Sequence, residues 1–128
     1  MKLLLDTHLI LWAAKGGQQL SPVAEKMISA PENELLFSPV SVWEMTIKNG
    51  LKRSDFKVNT RLIRRGMLDN GYCELPMTSE HALAVDTLPD IHKDPFDRIL
   101  IAQAKSEGIL LLTADTLLEQ YGEPVRVV

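Results

Sequence analysis

What the sequence has little of narrows the field first. It holds a single cysteine, Cys73, so no internal disulfide can form, which fits a reducing compartment. No apolar run is long enough to cross a bilayer, and the opening Met1-Lys2-Leu3-Leu4-Leu5-Asp6 meets an acid too early for a secretory signal. Those absences set the expectation of a soluble, cytoplasmic protein with no membrane contact. The three histidines, His8, His81 and His92, share no metal-ligand spacing and read as core or surface residues. Repeats, linkers and low-complexity segments are missing, and 128 residues suffice for one domain with a substantial core. Excess positive charge is missing too: a net charge of −3 argues, taken alone, against a nucleic-acid binder.

What is present alternates. Lys2–Leu5 is a short apolar strand stopped by Asp6, and an apolar helix runs over 9–14 until Gly16-Gly17. Ser21-Pro22 opens a second helix by the cap-then-proline rule, ending near Pro31, and Leu35–Phe37 is the second strand. A third helix is expected from Ser41 to Asn49-Gly50, a fourth from about Asn59 to Asn70, then a strand over 72–75 and a helix over 79–88. Asp94 to Gly108 carries every helix signal: a capping acid, proline at the first position, apolar residues at helical spacing, and a closing glycine. A fourth strand over 109–112, a short helix after Asp115 and a last strand over 125–128 complete the chain. Short apolar strands between helices predict an α/β fold of three layers, a mainly parallel sheet with helices on both faces.

In such sheets ligands sit at the carboxyl ends of the strands, where strand order reverses. Asp6 and Asp115 each follow a strand, Glu44 belongs to the helix after the second strand, and Asp97 starts the helix before the fourth. Carboxylates gathered there would repel one another and need a cation. Oxygen donors without a His or Cys cluster select a hard ion, Mg²⁺ or Mn²⁺, which can orient water and hold the charge that builds on a phosphate. Each acid also has a plain structural reading. Ser41 and Glu44 form the pattern of a capping box, Asp94 and Asp97 can be capping acids, and Asp115 can cap the last helix. Asp6 is the hardest to read that way, because a carboxylate ending a fully apolar strand is poorly solvated. Thr7, Ser41 and Thr113 stand next to these acids as caps or as hydrogen-bond donors to them. Trp12 and Trp43 read as core or subunit contacts, and Cys73 as a packed thiol in a strand.

Charge is unevenly spread. Seven of the fourteen basic residues fall between Lys48 and Arg65, against one acid, Asp55. Arg61, Arg64 and Arg65 are expected on one helix face and, with Lys52 and Arg53, form either a solvated surface or a track for a phosphate backbone.

Leu3-Leu4-Leu5-Asp6-Thr7-His8, Ser41-Val42-Trp43-Glu44, the run from Asp94 through Ala104, and Leu111-Leu112-Thr113-Ala114-Asp115 together resemble the PIN-domain family, and within it VapC-type toxins of bacterial toxin–antitoxin pairs. The resemblance covers the whole chain. It implies a metal-dependent endoribonuclease leaving a 3′-hydroxyl and a 5′-phosphate, a homodimer, and a small VapB-like antitoxin as inhibitor. The family's acids fall on Asp6, Glu44 and Asp97, with Asp115 at a more variable fourth position and Asp94 as an accessory. Two other readings of the fold fail on spacing: a haloacid-dehalogenase phosphatase needs an acid where His8 stands, and a phospho-receiver domain needs an acid pair and a late lysine that are missing. A structure-specific DNA nuclease of the same fold, and a silent module that binds RNA or an antitoxin, are the remaining alternatives.

Overall fold

A computed structural model of the chain describes residues 1–51 and 57–128. Lys52 and Arg53 of the basic segment lie outside the described residues. Among the described residues, strands β1 (Lys2–Leu5), β2 (Glu34–Phe37), β3 (Cys73–Glu74), β4 (Leu110–Thr113) and β5 (Val125–Val127) form one sheet in the order β3-β2-β1-β4-β5. Every strand pair in it is parallel.

The leucine runs explain why the sheet is central. Successive strand side chains point to opposite faces. Leu3 and Leu5 therefore enter one cluster with Leu9, Ile10, Phe37, Met45, Met67 and Leu112, while Leu4 enters another with Leu36, Leu100, Ile101 and Leu111. A strand covered on both faces is apolar throughout rather than alternating. Helices α1 (Thr7–Ala14), α2 (Pro22–Ser29) and α4 (Thr60–Asp69) supply apolar residues to the first cluster, α5 (Ser79–Ala84) and α6 (Pro95–Glu107) to the second. Helix α3 (Pro39–Gly50) gives Val40 to one cluster and Met45 to the other, and touches α1, α4 and α6. No described helix is long and apolar enough to cross a membrane.

Helix α6 forms as its sequence signals require. The Asp94 carboxylate accepts from the backbone N–H groups of Phe96 and Asp97, Pro95 takes the first position, and Gly108 closes the helix at φ 68°, a left-handed conformation that suits glycine. Elsewhere the structure departs from the sequence reading. Helix α3 begins at Pro39, capped by Ser38, so Ser41 and Glu44 lie inside the helix and form no capping box. The reason is a second Ser-Pro pair, Ser38-Pro39, which gives the same start signal as Ser21-Pro22. Helix α5 stops at Ala84 and tightens into a 3₁₀ turn over Val85–Thr87, ahead of Pro89. Strand β3 is shorter than expected and lies at the sheet edge, which leaves Cys73 exposed rather than packed. Trp43 is not core either: it is 60 % exposed and packs edge-on against Phe96 at 5.3 Å between ring centres.

Strand order reverses at β1, with β2 on one side and β4 on the other. The crevice beyond the carboxyl ends of β1 and β4 is the place where this topology builds sites.

Candidate functional site

Asp6 is the first residue past β1, and its backbone N–H extends the ladder by donating to Leu112 of β4 at 3.0 Å. That fixes the side chain at the crevice, 4 % exposed. One carboxylate oxygen accepts from the Leu9 N–H at 2.9 Å, making Asp6 the cap of α1; the other accepts from the hydroxyl of Thr113, the last residue of β4. The two strands that flank the crevice are thus tied by the pair Asp6–Thr113. Burial holds the Asp6 carboxyl above its usual range, the two hydrogen bonds and the charge of His8 pull it back, and the charge of Glu44 adds to the rise.

Glu44 arrives on α3, which crosses this end of the sheet. It is 5 % exposed. The Thr7 hydroxyl donates to its Oε1 at 2.7 Å and lies 3.0 Å from the Ser41 hydroxyl, while the Lys48 ammonium pairs with Oε2 at 2.8 Å. Thr7 is therefore a buried partner of Glu44 and Ser41 a buried partner of Thr7, and neither is a cap.

Asp97 stands on the first turn of α6, but the cap is Asp94. Free of that duty, the Asp97 carboxylate turns to His92, whose Nε2 lies 3.2 Å from Oδ2. Burial pushes its pKa up to about 6; the charges of Asp94 and Asp6 push the same way, and His92 opposes them. Asp6 thus feels the charge of Glu44, and Asp97 feels that of Asp6. Among the described residues no three of His, Cys, Asp and Glu form a ready-made metal-binding group. The donor set still suits a hard cation: oxygens only, Asp6 and Glu44 buried and Asp97 half-buried, with Asp6 and Asp97 held above their ordinary pKa by burial and by neighbouring carboxylates.

The sequence pattern of the PIN domain matches residues 3–124. The chain belongs to the PIN-domain family. Solved structures of the same fold include VapBC2 from Rickettsia felis bound to a DNA fragment from its promoter, with TM-score 0.73, 14 % identity, and 100 % of this chain and 98 % of that one covered. DNA-bound VapBC from Salmonella typhimurium gives TM-score 0.68 at 16 % identity, covering 100 % and 97 %. VapBC-1 from nontypeable Haemophilus influenzae gives 0.67 at 20 %, also covering 100 % and 97 %. At these identities the likeness is one of fold. A comparison with curated protein sequences yields no significant match.

In this PIN domain Asp6 lies within electrostatic reach of Glu44, and Asp97 within reach of Asp6 and Asp94. Asp115 is exposed: its carboxylate accepts from the Leu117 N–H at 3.0 Å to cap the 3₁₀ turn Thr116–Tyr121, and its own N–H donates to Thr113, the residue that donates to Asp6. Arg61, Arg64 and Arg65 are exposed on α4, where Arg64 lies 3.7 Å from Glu74. Sequence reasoning missed His92 as a neighbour of Asp97, and with it Tyr121 and Arg98. Arg98 donates to Tyr121 Oη at 2.9 Å, and Tyr121 Oη lies 2.6 Å from His92 Nδ1. His92, five residues before Asp97 at the helix approach, carried a signal; Tyr121, reached only through the fold, carried none.

Proposed function

We propose that this PIN domain is a metal-dependent endoribonuclease of the VapC kind, inhibited by a VapB-like antitoxin. The observation that carries the reading is the pair of raised carboxyls at the switch point, Asp6 beside Glu44 and Asp97 beside Asp6 and Asp94, negative charge that a divalent ion would offset. Asp6, Glu44 and Asp97 would hold Mg²⁺ or Mn²⁺, with Asp115 a fourth acid at the rim and Asp94 an accessory. A bound ion of that class supplies an acidified water and stabilises charge developing on a phosphate. The chain's own residues do the rest. Thr113 and the Leu9 N–H orient Asp6, Thr7 and Lys48 orient Glu44, and the reaction so read needs no protein nucleophile. Arg61, Arg64 and Arg65, with Lys52 and Arg53, would contact the backbone of the RNA.

Protein partners have surfaces to use. Trp43, Ile47 and Leu51 are exposed at successive turns of α3 and suit a second copy of the chain in a homodimer. An open groove of about 570 Å³, lined by Ile10, Ile28, Leu62, Ile63, Met67 and Tyr72, suits an apolar segment of an antitoxin.

The test is a side-by-side digest of single-stranded RNA and branched DNA by wild type and Asp97→Asn, with Mg²⁺ and with EDTA. Cleavage of RNA alone, by wild type alone, and only with Mg²⁺, is the expected result. Preferential cutting of branched DNA would make the chain a structure-specific DNA nuclease, and no cutting of either would make it a binding module.

A further inference from the structure

Asp97 is backed by a chain of side chains from three parts of the fold. Arg98, its neighbour on α6, reaches Tyr121 Oη at 2.9 Å and also donates to the backbone oxygens of Pro89 at 2.9 Å, His92 at 3.4 Å and Val85 at 3.4 Å. Tyr121, at the end of the 3₁₀ turn after β4, stands edge-on to His92 with ring centres 5.4 Å apart. His92 then meets Asp97. Arginine can only donate, so the phenol oxygen accepts from Arg98. The arrangement that gives every proton an acceptor has the phenol O–H donating to His92 Nδ1 at 2.6 Å. The imidazole proton then sits on Nε2 and donates to Asp97 Oδ2 at 3.2 Å.

We propose that Arg98, Tyr121 and His92 are positioning residues: they fix the Nε2–H tautomer of His92, which holds Oδ2 of Asp97 and would orient that carboxylate toward a metal. The inference rests on the metal reading above. It follows from geometry the site itself does not need. Of the three side chains only His92 meets an acid of the site, Asp97, while Arg98 spends donors on three backbone oxygens around the loop that carries His92. Outer partners of this kind set ligand orientation, and their loss commonly weakens metal affinity by roughly 10–100-fold.

Tyr121→Phe is the clean variant, because the ring and its packing remain and only the hydroxyl goes. The experiment measures the ¹⁵N shifts of the His92 ring in metal-free protein, and Mn²⁺ affinity by titration, for wild type, Tyr121→Phe, His92→Ala and Asp97→Asn. Wild type should show Nδ1 unprotonated and Nε2 protonated, and Tyr121→Phe a mixture of tautomers. Mn²⁺ affinity should fall about tenfold in Tyr121→Phe, at least as much in His92→Ala, and be lost in Asp97→Asn. A wild-type His92 protonated on Nδ1 would overturn the proposal. So would a Tyr121→Phe variant that binds Mn²⁺ like wild type while Asp97→Asn does not, and that result would leave the metal reading standing. Wild-type protein that binds no Mn²⁺ would overturn both.

Discussion

Asp97 carries a pKa of about 6 where an unhindered aspartate ionises near 4. Its proton therefore competes with a metal in a pH range where most carboxylates are already ionised. At limiting Mg²⁺, RNA cleavage should fall as pH drops below about 6, with a slope approaching one proton, and excess Mg²⁺ should move that limb to lower pH. A pH–rate profile at two Mg²⁺ concentrations checks both features. Asp94 sharpens the point, since it raises Asp97 by charge while capping α6 by hydrogen bonds. Asn caps as well as Asp but carries no charge. Asp94→Asn should therefore keep the melting temperature and shift the acid limb downward, whereas Asp94→Ala should lose about 1 kcal/mol of stability with the cap. An unmoved limb in Asp94→Asn would mean that Asp94 does not act on the site.

At the scale of elements, the helix that begins at Asp94 was legible almost to the residue. Its capping acid, proline and closing glycine are local signals, and α6 obeys all of them. The start of α3 was not, because Ser41 and Glu44 offered a capping box three residues inside the true start at Ser38-Pro39. That signal also gave Glu44, a candidate site acid, a second reading as a capping-box residue; it is a buried acid paired with Lys48 and not a helix cap. Helix α4 makes the electrostatic prediction. Arg61, Arg64 and Arg65 are exposed on it, and Arg64 is only loosely engaged by Glu74. Replacing all three by Ala should weaken RNA binding and reduce its salt dependence, by roughly 0.7 of a log–log unit for each single-strand phosphate left without its arginine. Filter binding across a salt series reads the slope; an unchanged slope would leave α4 a solvated surface.

For the whole molecule, the sequence made the edge of the sheet visible because its strands are short and end in named residues. Asp6 and Thr113 close β1 and β4, and the parallel order places them side by side across the crevice. The contribution of Tyr121 was invisible for the converse reason: it meets His92 across 29 positions through an irregular turn, with no periodicity to announce it. Asp115 shows the same limit, since its place after β4 suggested the cluster while its side chain turns to cap the following turn.

One set of melting curves tests most directly whether the fold gathers like charges that a metal relieves. The folded-state pKa of Asp97, raised to about 6, adds stability below about pH 4 that is lost as pH climbs through about 6, and the raised carboxyl of Asp6 acts in the same direction. Above that pH the metal-free protein carries the cost. Because Asp97 is partly exposed, solvent screening trims that cost to about 1 kcal/mol. Wild type and Asp97→Asn are melted at neutral pH, each with EDTA and with millimolar Mg²⁺. In EDTA the variant should melt higher than wild type, and by less as pH is lowered toward 4. With Mg²⁺ the order should reverse, because the ion stabilises the native cluster by mass action and the variant loses most of that gain. A variant that melts below wild type in EDTA, with no shift of the wild type by Mg²⁺, would contradict the account and make Asp97 a structural acid of α6.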